Sequence, residues 1–273
     1  MLRMESETGW WLITHPDHAH LAGDFAAAWG NAQFRKPEPR ARVLKGIFCH
    51  DDGWVTRDAH PTITREGRPS AFSRELVGKY SAFEEIDLEE YLAVRDRAVR
   101  IVAEEDAYAG LLISMHTYNL LTVRADRSTI ASEGLVLLDT FLDRQRRFKR
   151  ELQAAIAADN SLPPTESAEE TILEHFRLLQ ACDNLSLLSC VAYPSPAHLL
   201  HPLPLNNGGT AEVKVLPIAP CHFRLAPWPF AETELTINFP ARHVAGKLFS
   251  NSQTLEGAFN AAPVEQLSVT LSA

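Results

Sequence analysis

The hydrophobic residues of this chain follow a helical period over most of the sequence before Tyr193. Apolar side chains recur every three to four positions in six segments, a spacing that puts them on one face of an α-helix. Thr14 and Ser167 stand at N-cap positions, and Gly30 and Gly53 follow the first two segments as helix stops. Helices are therefore predicted over residues 14–30, 39–52, 87–105, 108–123, 128–158 and 167–191.

Two parts of the chain break this pattern. Residues 55–86 have no sustained period and contain prolines and glycines such as Pro61 and Gly78, which predicts a long ordered loop. Loops of this length in a compact domain often act as lids over a functional site. After Tyr193, short runs such as AEVKVLPI and TELTINFPA have strand composition and partial alternation.

These patterns predict a mainly α protein with a small β part. We expect an all-helical core over residues 1–192, with the loop at 55–86 inserted in it. The C-terminal residues 193–273 are expected to form a small antiparallel sheet that packs on the core.

Five polar side chains fall on the buried faces of the predicted helices. His18 lies on the apolar stripe of the first helix, and His50 and Asp51 continue the apolar face of the second. His116 shares a face with leucine in the fourth helix, and Asp183 interrupts an apolar line in the last. Imidazole and carboxylate groups are the donors that hold Mn, Fe, Co, Ni, Zn or Mg, so their convergence would make a metal site.

Each residue also has an ordinary structural interpretation. A buried His or Asp in a helix is more often hydrogen-bonded in the core than bound to a metal, and this applies above all to His116. Asp183 could pair with Arg95 or Arg177, and Asp52 with Gly53 reads as a helix stop. The adjacent His50-Asp51 pair is harder to explain in this way, because a helix end lies where solvent enters a core.

Composition narrows the class of protein. The net charge of −9 and the pI of about 5.7 argue against a basic face, so nucleic acid is not an expected partner, although a single nucleotide is not excluded. The four cysteines show no C-x-x-C spacing and are expected to be reduced and buried, which favours the cytoplasm. No apolar stretch approaches the roughly 18 to 20 residues of a membrane span, and no signal peptide is recognisable.

The order of the polar residues resembles that of a known superfamily. A helix with His18, a segment ending in His50-Asp51 and a late helix with Asp183 resemble the HD superfamily of metal-dependent phosphohydrolases, whose ligands are His, His-Asp and Asp in that order. The segments WLITHPDHAHLAG, HDDGW, DAYAGLLISMH and CDNLSLLSC resemble a bacterial family of domains of unknown function, number 3891. The second resemblance covers nearly the whole chain and implies a family but no activity.

The HD resemblance implies a fold and a set of roles. It implies an HD-like helical core in which His18, His50, Asp51 and Asp183 hold a divalent transition metal, or Mg. His116 would be a further ligand or a phosphate-contacting group, and Asp52 or His116 would position or deprotonate the attacking water. Because a second histidine with the right placement is missing, a full two-metal site is less well supported.

The loop offers groups that could meet a substrate. Arg57, Arg74 and Lys79 could neutralise a phosphate if the loop folds over it, and Trp54 could form part of an aromatic wall. The same residues are equally ordinary in any loop, where cations are solvated and aromatic side chains pin the loop to its domain.

The leading functional hypothesis is a metal-dependent hydrolase that acts on a phosphate ester of a nucleotide or another small molecule. A second enzyme hypothesis is an oxygenase with two irons, and a non-enzymatic one is a ligand-binding module with a structural metal. The long helix from Ser128 carries an apolar line that could belong to the core or to a homodimer.

Overall fold

A computed structural model describes residues 1–273 and contains eight α-helices and nine strands. Each of the six predicted helical segments contains an α-helix. The helices are α1 His15–Ala28, α2 Arg40–Phe48, α3 Val55–Asp58, α4 Leu88–Glu105, α5 Ala107–Thr122, α6 Ser132–Ala157, α7 Glu169–Cys190 and α8 Ser252–Ala261. The strands are β1 Leu2–Glu5, β2 Gly9–Ile13, β3 Ala197–His198, β4 Leu203–Pro204, β5 Thr210–Ala211, β6 Lys214–Ala219, β7 His222–Ala226, β8 Glu234–Ala245 and β9 Val264–Ser272.

The prediction of a mainly α, HD-like helical core was wrong. The chain is 47% helical and 21% strand, and seven strands form one curled sheet shaped as a half-barrel. The strand order is β1-β2-β8-β9-β7-β6-β3, with all neighbours antiparallel except β7 and β9, which are parallel. The short strands β4 and β5 form a separate pair.

The error arose at the N-terminal strands. β2 is buried at four of its five positions, so it lacks the alternation by which a half-buried strand is recognised in a sequence. It pairs with β8, where Gly9 lies opposite Ala245 and Leu12 opposite Arg242. The division of the chain at residue 192 stays a prediction, but the sheet takes its strands from both sides of that position.

Helices and sheet share one hydrophobic core. The largest cluster of buried side chains includes Phe25 of α1, Leu111 of α5 and Leu185 of α7 together with Phe239 of β8 and Leu271 of β9. α8 covers a different part of the sheet through a smaller cluster. Burial of this much apolar surface on one side of the sheet fixes α1 and α7 against it, and these two helices carry polar residues into the core.

N-terminal capping explains why several helices begin where they do. The Thr14 hydroxyl accepts a hydrogen bond from the backbone N–H of Asp17 at 3.1 Å. The Asp87 carboxylate accepts one from the N–H of Glu90, and the Asp106 carboxylate one from the N–H of Ala109, each at 3.0 Å. None of the helices is both long and apolar enough to cross a membrane.

The HDDGW segment forms a tight turn between helices. α2 ends at Phe48, four residues before its predicted end, and a single 3₁₀ turn spans Asp52–Trp54. Gly53 lies against the backbone of α4, where an added Cβ would stand 2.4 Å from the carbonyl oxygen of Val94 and 2.7 Å from the nitrogen of Ala98. Gly53 therefore allows the turn and also lets its own backbone approach that of α4 closely.

Substitution of Gly53 by Ala should destabilise the protein. The added methyl group meets backbone atoms that cannot rotate away, and overpacking of this kind costs about 1 to 3 kcal/mol. Urea unfolding of Gly53→Ala measures this free energy, with Gly257→Ala in α8 as control, since nothing lies within 4 Å of a Cβ at that position. Equal unfolding free energies for the two variants would contradict the close approach.

Candidate metal centre

Five potential ligand side chains from four segments converge in the core. α1 supplies His18, the turn after α2 supplies His50 and Asp51, α5 supplies His116 and α7 supplies Asp183. Their exposed fractions are 1%, 0%, 3%, 2% and 7%, so all five are buried. Two groups of three lie with their ligand atoms within 4.8 Å of one another, and both groups include His50.

Within each group of three, the measured separations between neighbouring ligand atoms suit a bound ion. His18 Nε2 lies 3.1 Å from Asp51 Oδ2, and His50 Nε2 lies 3.9 Å from the same oxygen. His50 Nε2 lies 3.4 Å from Asp183 Oδ1, and His116 Nε2 lies 3.9 Å from Asp183 Oδ2. Ligands about 2.1 Å from one ion stand roughly 3.0 to 4.2 Å apart in tetrahedral or octahedral geometry.

Outer hydrogen bonds fix the tautomers of two of the histidines. His50 Nδ1–H donates to the carbonyl oxygen of Ile47 at 2.7 Å. Ser186 Oγ donates its only proton to the carbonyl of Asp183 at 2.9 Å, so it accepts from His18 Nδ1–H, which is also 2.9 Å away. In the neutral rings, both inner Nε2 atoms therefore carry lone pairs, and each of them faces a carboxylate.

This arrangement requires positive charge between the groups. His50 Nε2 and His116 Nδ1 are buried and make no hydrogen bond. A lone pair that faces a carboxylate oxygen is repelled unless a proton or a cation lies between them. The buried His and Asp groups could hold a metal ion, and their outer N–H bonds are those expected of ligating histidines.

Arg95 of α4 neutralises one side of the cluster. Its Nη1 donates to Asp51 Oδ1 at 2.6 Å, and its Nε donates to the hydroxyl of Tyr91 at 3.3 Å. The guanidinium also lies over the ring of Trp54, 5.1 Å from its centroid. Asp51 thus uses one oxygen for the arginine and keeps the other directed at the histidines.

The pKa values follow from burial and from these contacts. Burial opposes protonation of His50, but Asp51 and Asp183 outweigh it and raise the pKa of His50 to about 9. Burial would raise the pKa of Asp51, but Arg95 and His50 hold it well below its usual range. Burial lowers the pKa of His116 to about 4. The two carboxylates therefore concentrate positive charge at their centre.

Two adjoining cavities connect this cluster to the surface. The inner cavity, of about 170 Å³, is lined by four of the five cluster residues, all except His50. The outer cavity, of about 280 Å³, shares Phe72, Leu76, Lys79, Tyr91 and Arg95 with it. Cavities of a few hundred Å³ are the size of small-molecule sites.

Residues 1–246 match the family model described as a protein of unknown function, DUF3891. The chain belongs to the DUF3891 family. No curated protein and no solved structure matches the chain. The predicted resemblance to this family is thereby confirmed, whereas the resemblance to the HD superfamily is not.

The predicted substrate-binding and catalytic residues of this DUF3891 protein are spread over different places. Lys79 lines both cavities, and Trp54 and Arg57 line the outer one. Asp52 begins the 3₁₀ turn and lines neither cavity, so nothing in its position supports the catalytic role predicted for it. Arg74 also lines neither cavity and is ion-paired at the surface.

Sequence reasoning missed a second polar pair of this DUF3891 site. His15 lines both cavities, its Nδ1 lies 3.0 Å from Asp58 Oδ2, and its ring stacks on Trp54 with centroids 4.0 Å apart. Asp58 is 3% exposed, and the backbone N–H of His15 also donates to it. Pro16 follows His15 and Pro61 follows Asp58 three residues later, but no periodicity in the sequence links His15 to Asp58.

Divalent metal should stabilise this DUF3891 protein. We expect Mn²⁺ or Zn²⁺, added to chelator-treated protein, to raise the melting temperature, since about 2.7 kcal/mol is gained at 100 times Kd. His50→Gln and Asp51→Asn should abolish the shift because each removes a ligand. The control is His20→Gln, an exposed histidine of the same helix as His18. No shift with Mn, Fe, Co, Ni, Zn or Mg would contradict a metal centre.

Removal of the Arg95 guanidinium should destabilise the metal-free protein strongly. Arg95→Met leaves the buried carboxylate of Asp51 without its partner, which typically costs about 3 to 5 kcal/mol. Urea unfolding in the presence of EDTA measures the effect, and Arg97→Met, an exposed arginine in the same helix, is the control. A loss no larger than that of the control would show that Asp51 does not depend on Arg95.

Proposed function

We propose that this protein is a metal-dependent hydrolase that acts on a small phosphate ester, such as a nucleotide. One observation carries the proposal: the inner nitrogens of His18 and His50, with their outer N–H groups engaged, face two buried carboxylates beside a cavity. This set of donors suits a divalent transition metal or Mg. The buried cluster opens to two adjoining cavities of about 170 and 280 Å³, which together reach the volume of a small-molecule site.

A divalent cation bound by these ligands would supply Lewis acidity, which lowers the pKa of water and polarises a phosphoryl oxygen. Arg95 holds Asp51 in one orientation, and Ser186 and the carbonyl of Ile47 orient His18 and His50. These outer contacts keep the ligands in place without contact to the substrate. They would limit the movement of the donors during a reaction.

His116 is the cluster residue best suited to proton transfer. Its ring lines the inner cavity, and its Nδ1 has no hydrogen-bond partner. Its Nε2 is 3.9 Å from Asp183 Oδ2. Nδ1 is buried, so a neutral imidazole at this position would accept a proton from a water molecule in the cavity once a turn of the ring exposes that nitrogen.

His50 belongs to both donor groups and can serve only one ion, which ranks a single metal above two. An imidazole Nε2 binds a single metal, so two ions would have to divide the remaining four residues between them. We therefore rank a two-iron oxygenase below the hydrolase. A ligand-binding module with a structural metal is the non-enzymatic alternative, and it predicts a bound metal without turnover.

The hydrolase proposal predicts metal-dependent turnover of phosphate esters. Protein reloaded with Mn²⁺, Co²⁺, Ni²⁺, Zn²⁺ or Mg²⁺ should release phosphate from p-nitrophenyl phosphate or from nucleoside monophosphates. Asp183→Asn should lower kcat/KM by about 100-fold or more, since it removes charge from the centre. Arg127→Gln, a surface residue paired with Asp139, should leave the activity unchanged.

The outcomes separate enzyme from binding module. Turnover that appears on metal addition and is lost in Asp183→Asn supports the hydrolase. Metal bound at one equivalent, with no hydrolysis in a panel of monoesters, diesters and anhydrides, would overturn it and would favour a structural site.

A further inference from the structure

Two cations of the inner cavity come from segments far apart in the sequence. Lys79 belongs to the segment between α3 and α4, and Arg124 follows the end of α5. Both side chains line the inner cavity together with Asp51, Asp183 and Arg95. Lys79 is exposed and Arg124 is half-buried, so both stand at the mouth of the cavity rather than in the core.

The backbone holds the two segments together. The N–H of Ser81 donates to the carbonyl of Arg124 at 2.7 Å, and the N–H of Asp126 donates to the carbonyl of Ser81 at 2.8 Å. Ser81 and Ala125 thus form a parallel bridge of two hydrogen bonds. The bridge includes Arg124 and lies two residues from Lys79. Main-chain contacts therefore hold the segments of the two cations side by side, independently of the two side chains.

Neither of these cations has an anionic partner in the protein. The other arginines near the site are paired: Arg57 with Glu90 at 3.2 Å and Arg95 with Asp51 at 2.6 Å. Lys79 and Arg124 make no ion pair and no side-chain hydrogen bond, and the guanidinium of Arg124 lies 5.9 Å from the ring centroid of Tyr80. Both therefore stand at one cavity without a protein carboxylate that neutralises them.

The charges of the cavities favour an anion with more than one charge. Three cations of the inner cavity, Lys79, Arg95 and Arg124, face two carboxylates, Asp51 and Asp183. The cations exceed the carboxylates by one charge, and a divalent ion would add two more. The outer cavity contains arginine and lysine but no carboxylate. An anion that enters by this route meets an excess of positive charge in both cavities.

We propose that Lys79 and Arg124 form an anion-binding pair that selects doubly charged phosphate groups over singly charged ones. The substrate would then be a phosphomonoester, which is largely a dianion at neutral pH, rather than a phosphodiester. This inference rests on the proposed function for the reaction, but the binding of the anion by the pair does not require hydrolysis. Arg124 is also a residue that the sequence alone did not single out.

The ordinary alternative is a pair of solvated surface cations. Lysine and arginine are often unpaired at a protein surface, and solvent and salt then screen them. The two explanations differ in one respect: if the cations are only solvated surface charges, substitution of Lys79 or Arg124 changes phosphate affinity no more than substitution of another surface arginine.

The test is anion binding by metal-free protein, measured by calorimetry in EDTA at pH 7.5 and constant ionic strength. The probes are inorganic phosphate, mainly a dianion, and dimethyl phosphate, a monoanion. Phosphate should bind, and dimethyl phosphate should bind at least about tenfold more weakly. Lys79→Gln and Arg124→Gln should each weaken phosphate binding by about tenfold, the size of one hydrogen bond to a charged group.

A matched control variant separates the pair from general surface charge. Arg127→Gln removes the same charge three residues from Arg124 on a side chain that is paired with Asp139 and lines neither cavity. It should leave phosphate affinity unchanged. Circular dichroism of each variant confirms folding, which is expected because the bridge at Ser81 uses main-chain atoms only.

The outcomes distinguish this inference from the proposed function. Weaker phosphate binding in both variants, but not in the control, supports the pair even if no substrate is hydrolysed. Hydrolysis of monoesters and diesters with similar kcat/KM, or phosphate affinity equal in all variants, would overturn the pair while leaving a metal-dependent hydrolase intact.

Discussion

Two carboxylates in an apolar core set the requirements for the rest of this structure. Asp51 and Asp183 are almost fully buried, and an ionised carboxylate in such a place is unstable without nearby positive charge. Arg95 supplies part of that charge from α4, and three histidines supply nitrogen atoms around the same point. A divalent cation would complete the charge balance. The same side chains therefore determine both the packing of the four segments and the chemistry of the site.

The fold satisfies this requirement by placing helices on a curled sheet. α1 and α7 lie side by side, and α1 also contacts β8, so the sheet acts as a fixed support beneath the helices that carry His18 and Asp183. The turn that carries His50 is held against α4 by the close approach of Gly53. Rigid support of this kind keeps donor atoms at ligand distances, whereas donors on independent loops would separate.

The route to the site is built from less regular parts of the chain. The segment that contains Lys79 is anchored at one end by hydrogen bonds between Phe72 and the first strand and at the other by the bridge at Ser81. The intervening residues include Gly78, whose φ of +75° and open surroundings mark a turn that favours glycine. In the proposed function, the rigid core would hold the cation and this anchored segment would line the entrance for the anion.

The sequence by itself determined the helical segments and the inward direction of His18, His116 and Asp183, because both follow from a local period of 3.6 residues. His50 and Asp51 lie in the turn after α2, so their inward direction does not follow from that period. The sequence did not determine the sheet, because β2 is buried on both faces and its partner β8 lies more than 200 residues away in the chain. Only the tertiary structure decided that Arg95 pairs with Asp51 and that Lys79 lies near Arg124. Such contacts join segments without any shared local pattern, so they become visible only when the chain is folded.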